Sequence, residues 1–204
     1  PKELKKFLEL IRSLSAKGAI LAYHDRSDGG LAAALCEMMF ASHVGVEIVA
    51  DALVSKDRTL NQALFNEELG AVIQVARGRA AEVERDFEAA GMGWSLKYLG
   101  NLTQDDHLNI YLEGKCVLSE DRVDLQKAWN EVSWQIARMR DNPECVDSEY
   151  ELISDKHNGG LVLTMGFDPE ENLAAPFINT GVRPKVAILR EPVSYTHLRA
   201  HETC

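Results

Sequence analysis

The chain has 204 residues, 46% hydrophobic and 26% charged, with 22 Lys+Arg against 32 Asp+Glu for a formal net charge of −10. That length buries the core of one or two domains without disulfides, and the composition excludes collagen-like, mucin-like and largely disordered classes. So acidic a surface repels phosphate backbones and argues against nucleic-acid binding, whereas nucleotides held by local amides and metal ions stay open.

The N-terminus, Pro1-Lys2-Glu3-Leu4, has neither the apolar segment of a signal peptide nor an initiator Met, so the chain reads as an internal fragment. No apolar run reaches the roughly 20 residues of a membrane span. Leu4, Phe7, Leu8, Ile11 and Leu14 recur at helical spacing, and Gly18 suits a helix stop. Ala19–Tyr23 predicts a buried strand, HDRSDGG (24–30) a polar turn, and 31–42 a second helix with Leu31, Leu35, Met38 and Met39 inward. Val46–Val49 and the β-branched Ala71–Ala76 are strand candidates. Arg77–Ala90 predicts a helix closed by Gly91, with Val83, Phe87 and Ala90 aligned; 95–99 predicts a strand. Leu108, Ile110 and Leu112 alternate with polar residues, as in a half-exposed strand. The longest helix is predicted over 121–140, with Leu125, Ala128, Trp129, Val132, Ile136 and Met139 as its inner face. Asn142-Pro143 stops it. Acidic 141–155 predicts a short exposed helix, KHNGG from Lys156 a hinge, 168–184 a loop and 185–190 a new strand. These changes of character put a domain boundary between 156 and 184.

HDRSDGG carries the most chemistry. After a strand and before a helix, its amides and the helix dipole favour an anion, and two glycines permit close backbone approach. Asp25 supplies the hard oxygen that Mg²⁺ prefers, and Ser27 a hydroxyl. The plainer alternative makes Ser27 or Asp28 a helix N-cap, Gly29-Gly30 a turn and Asp25 a solvated charge. Asn66-Glu67-Glu68 offers carboxylates for metal binding or proton transfer, or simply a polar loop before a strand. His43, His107 and His157 lack ligand spacing. Cys36, beside the inner helix face, reads as a packing group, as do Trp129 and Trp134. With no CxxC pair, Cys36, Cys116, Cys145 and Cys204 read as thiols of a reducing compartment.

Three strings in order, AYHDRSDGGLAAALCEMMFA (22–41), LFNEELGAVIQV (64–75) and RPKVAILRE (183–191), resemble the large single-chain phosphoribosylformylglycinamidine synthases of purine biosynthesis. The resemblance implies an α/β fold over 1–155, the C-terminal half of a synthetase-like domain related to aminoimidazole-ribonucleotide synthetase. A linker over 156–184 and the first strand of a truncated glutamine amidotransferase domain at 185–191 would follow. It implies a cytoplasmic ATP-dependent ligase acting on formylglycinamide ribonucleotide, glutamine and ATP, with no nucleic-acid or membrane partner. Asp25 matches the family's Mg²⁺ ligand in an auxiliary nucleotide site, and Ser27 the serine that contacts the ATP or ADP there. No catalytic residue carries over: the amidotransferase Cys, His and Glu would lie downstream and the main ATP segment upstream. The chain by itself is therefore expected to be inactive. The tail at 192–204, PVSYTHLRAHETC, departs from the family and is expected to be non-native and disordered, and trimming at Asp155, which also removes an unpaired apolar strand, should improve solubility without lowering the melting temperature. The competing readings are another enzyme of the superfamily and a scaffold domain that holds a nucleotide without turning it over.

Overall fold

A computed structural model describes residues 2–176, 178, 180 and 181. A first unit runs through Asn158 and a second begins at Gly159. The expected strand at 185–191 and the tail at 192–204 lie outside the described residues.

The first unit opens with α1 (Lys2–Ala16), β1 (Ile20–Asp25), α2 (Gly30–Ser42) and β2 (Gly45–Val49). Then come α3 (Leu60–Phe65), β3 (Ala71–Val75), α4 (Ala80–Ala89), β4 (Gly100–Thr103), β5 (His107–Leu112) and β6 (Lys115–Asp121). The long α5 (Arg122–Arg140) and short α6 (Pro143–Glu151) complete it. β1 and β3 form an antiparallel pair, and a second sheet has the order β4-β2-β5-β6, with β2 and β5 parallel. Helix α2 carries apolar residues on nearly all sides, as a helix buried on more than one side must. Its Leu31, Leu35 and Met39 share a core with Val46, Ile48, Leu108 and Ile110 of the larger sheet and with Leu64 and Val72. A second core joins Leu10 and Leu14 of α1 to Val83 and Phe87 of α4.

The structure corrects several expectations. The inner face of α1 is Phe7, Leu10, Ile11 and Leu14, because α4 lies on that side; Leu4 and Leu8 are half exposed. The strand expected at 95–99 begins instead at Gly100, which pairs with Ile48; a Cβ at Gly100 would run into the Glu47 backbone. Gly and Asn are poor strand formers, so this strand is invisible to propensity. β6 was not anticipated at all: it is an exposed edge strand without alternating burial. It returns from β5 through Glu113-Gly114, both with positive φ, as a two-residue hairpin requires.

Helix α5 is where expected, with Asp121 capping it through Val123 N–H and Leu125 packed on the core, but the rest of its apolar stripe is turned outward. Trp129, Val132, Ile136 and Met139 are exposed. The cause lies on the other face, where α6 packs through an aromatic stack and hydrogen bonds. Trp134 stacks on Tyr150 with centroids 4.5 Å apart and donates to Asp147, and the Tyr150 hydroxyl donates to the Lys127 carbonyl. Trp129 makes one tilted contact with Phe40, at 5.9 Å. Lys156 Nζ is 3.2 Å from Asp106 Oδ2, so a cut at Asp155 would remove this ion pair. Among the described residues no helix is long and apolar enough to cross a membrane.

Candidate functional site

Antiparallel pairing decides the site's location. Asp25, the last residue of β1, stands opposite Ala71, the first of β3. The segments leaving β1 (26–29) and entering β3 (66–70) are therefore neighbours. Arg26 N–H donates to the Gly70 carbonyl at 2.8 Å, its Nε to the Glu68 carbonyl at 2.9 Å, and its Nη2 lies 2.8 Å from Glu68 Oε1. Gly29 N–H donates to Glu67 Oε1 at 3.1 Å. Arg58, just before α3, donates to the same Glu68 Oε1 as Arg26. Partial burial pushes the Glu68 carboxyl upward, but the hydrogen bonds from Arg58 and Arg26, with their charges, hold it below the ordinary carboxylate range.

The sequence presented HDRSDGG and Asn66-Glu67-Glu68 as separate candidates; the fold makes them one. The usable signal was that each string abuts one of two apolar strands that could pair. Arg58 and the α3 segment carried no such signal.

The helix start resolves the capping alternative. Neither Ser27 nor Asp28 caps α2; the N-cap is Gly29, in the left-handed region at φ 77°, with no side-chain cap. Glu67 instead brings a carboxylate to the first turn, where the helix dipole favours one. Asp25, Ser27 and Asp28 are exposed. Neither Asp25 nor Ser27 uses its side chain in a hydrogen bond or ion pair within the described residues. His24 faces the other way, its Nε2 2.9 Å from Glu37 Oε2.

Mg²⁺ keeps several waters and takes one or two protein carboxylates together with substrate phosphates. The exposed, unengaged carboxylate of Asp25 fits one such position. No group of three or more His, Cys, Asp or Glu side chains that could hold a metal ion gathers among the described residues. Cys36 is unsuited to nucleophilic chemistry: burial, with Glu37 adding to it, pushes its thiol up to about 11. His43 ends α2 in the left-handed region, and His107 lies on β5; neither adjoins the loop pair.

Residues 1–113 match the family described as AIR synthase related protein, C-terminal domain. The chain belongs to that family. In fold it is similar to T. maritima PurL complexed with FGAR, with a TM-score of 0.52 and 16% identity over 59% of this chain and 20% of that one. PurLQS from Thermotoga maritima is similar too, with a TM-score of 0.51 and 15% identity over 58% of this chain and 20% of the other. T. maritima PurL complexed with ATP gives a TM-score of 0.50 and 16% identity, with coverage of 58% and 20%. This chain thus spans about a fifth of the length of the solved structures it matches.

Proposed function

We propose that this chain is part of an ATP-dependent carbon–nitrogen ligase that converts formylglycinamide ribonucleotide, with glutamine and ATP, to formylglycinamidine ribonucleotide. Within it the joined loops hold a magnesium–nucleotide complex, Asp25 toward the metal and Ser27 toward a phosphate oxygen. One observation carries the reading. Asp25 and Ser27 are exposed with no side-chain hydrogen bond or ion pair among the described residues, on a segment held in place by Arg26, Glu67 and Glu68. The family match and the fold shared with PurL complexed with ATP and with FGAR support it.

The chemistry divides among these residues. Bound magnesium would neutralise charge on the nucleotide phosphates. Asp25 would fix the metal's position, and the Ser27 hydroxyl would donate to a phosphate oxygen. Arg26 touches neither: turned onto Glu68, it positions the loop. In the proposed reaction the formyl amide oxygen leaves with a phosphoryl group from ATP, and ammonia from glutamine takes its place.

Calorimetric titration of Mg-ADP into the ligase carrying this segment, nucleotide-stripped, tests the assignment. A hydrogen bond to a charged group is worth about 1.5–3 kcal/mol, so Ser27→Ala is expected to weaken binding roughly tenfold or more. Asp25→Asn keeps shape and removes charge, so affinity should lose most of its dependence on Mg²⁺. Unchanged affinity and unchanged metal dependence in both variants would leave the loop a helix start and nothing more.

A further inference from the structure

Beside the joined loops, α3 borders a cleft of about 600 Å³ lined by Asp57, Arg58, Asn61, Phe65, Asn66 and Glu68, with Gln62 between them. That volume is in the range of small-molecule sites. Phe65 is 60% exposed on its wall. The side-chain amides of Asn61 and Asn66 have no hydrogen-bond partner among the described residues, and each offers two donors and an acceptor oxygen. Arg58 and Arg26 both pair with Glu68, and Asp57, which has no ion-pair partner among the described residues, balances the second cation. A wall whose charges balance suits an uncharged group. An aromatic face flanked by free carboxamides is the chemistry that receives a nucleobase: the ring stacks and the amides pair with the base edge.

The cleft adjoins the loop. A Cβ placed at Gly30 would stand 2.8 Å from Phe65 C and 3.0 Å from Asn66 O, and Glu68 on the cleft wall is the partner of Arg26. We infer that the α3 cleft takes the base of the nucleotide whose phosphate Ser27 holds, with Phe65 stacked on the base and Asn61 and Asn66 reading its edge. This rests on the nucleotide reading above.

The test compares a probe with a base, Mg-ADP, and one without, Mg-pyrophosphate, titrated into the same ligase. Phe65→Ala is expected to weaken Mg-ADP about fivefold or more and to leave Mg-pyrophosphate unchanged. Phe65→Tyr, which keeps the ring, should restore Mg-ADP affinity. Because the Phe65 side chain is exposed, the variant's folding is not at stake. Unchanged Mg-ADP affinity in Phe65→Ala, or equal weakening of both probes, overturns the inference. If Ser27→Ala weakens both probes while Phe65→Ala weakens neither, the base site falls and the phosphate reading stands. If Ser27→Ala moves neither probe, or wild type binds no Mg-ADP, both readings fall.

Discussion

Asp106→Ala is expected to cost the fold about 3–5 kcal/mol, the usual result of stranding a buried charge. Arg122, the first residue of α5, is fully buried, and its Nε donates to Asp106 Oδ1 at 2.6 Å. Arg122 N–H also donates to the Asp106 carbonyl, and Nη1 donates to Gln126. Lys156 approaches the other Asp106 oxygen from the end of the unit. Asp106 therefore joins the β4–β5 connection, the start of α5 and the residues after α6. It does so in the left-handed region, at φ 59°, which Asn tolerates and Ala does not. Asp106→Asn thus separates lost charge from backbone strain and should be the milder change.

The same pair sets a pH dependence. Burial raises the Asp106 carboxyl, but hydrogen bonds and charge from Arg122 and Lys156 hold it below its ordinary value. A carboxyl depressed in the folded state contributes stability that is present above its unfolded pKa, about 3.9. That contribution is lost as pH falls through the folded value. Urea unfolding of wild type between about pH 5 and pH 2 should show this loss, and Asp106→Asn should show a shallower one. A cost below about 1 kcal/mol for Asp106→Ala at pH 7 would show that Arg122 finds other partners.

Gly30→Ala should destabilise the chain by roughly 2–5 kcal/mol, combining left-handed strain with overpacking. Gly30 has φ 67° and is buried. An added Cβ would meet Leu64 O at 2.7 Å, besides the Phe65 and Asn66 backbone atoms. Backbone cannot rotate aside as a side chain can, so the α2 start must part from the α3 segment. Gly91→Ala is the control: its φ of 70° is similar, but nothing lies within 4 Å of the new Cβ. Its cost should be the strain alone, about 1–2 kcal/mol. Equal melting temperatures for the two variants would mean that the close approach at Gly30 is not held in solution.

Much of this architecture is legible from local pattern. The strand–HDRSDGG–helix order follows from an apolar run, a polar glycine turn and an apolar helix, all short-range features. What local pattern hides is what depends on partners. The outward stripe of α5 has ideal helical periodicity, and only the packing of α6 on the opposite face reveals that it is not core. β4 exists because Gly100 can approach Glu47, and β6 because β5 has a free edge. For the site, residue chemistry left Asp25 and Ser27 open between a nucleotide loop and a helix cap, and the family resemblance singled them out. Their relation to Glu67, Glu68 and Arg58 needed the β1–β3 register, which joins residues about 45 apart.

Hydrogen–deuterium exchange, with and without Mg-ADP, tests the central claim most directly. The amides of Ser27 and Asp28 make no hydrogen bond among the described residues, so they should exchange quickly in the nucleotide-free ligase. Bound Mg-ADP should slow exchange across 26–30, through phosphate contacts at Ser27 and a tighter loop against Glu67. Saturating Mg-ADP that leaves 26–30 unchanged, or protects only segments outside the two joined loops, would contradict the account.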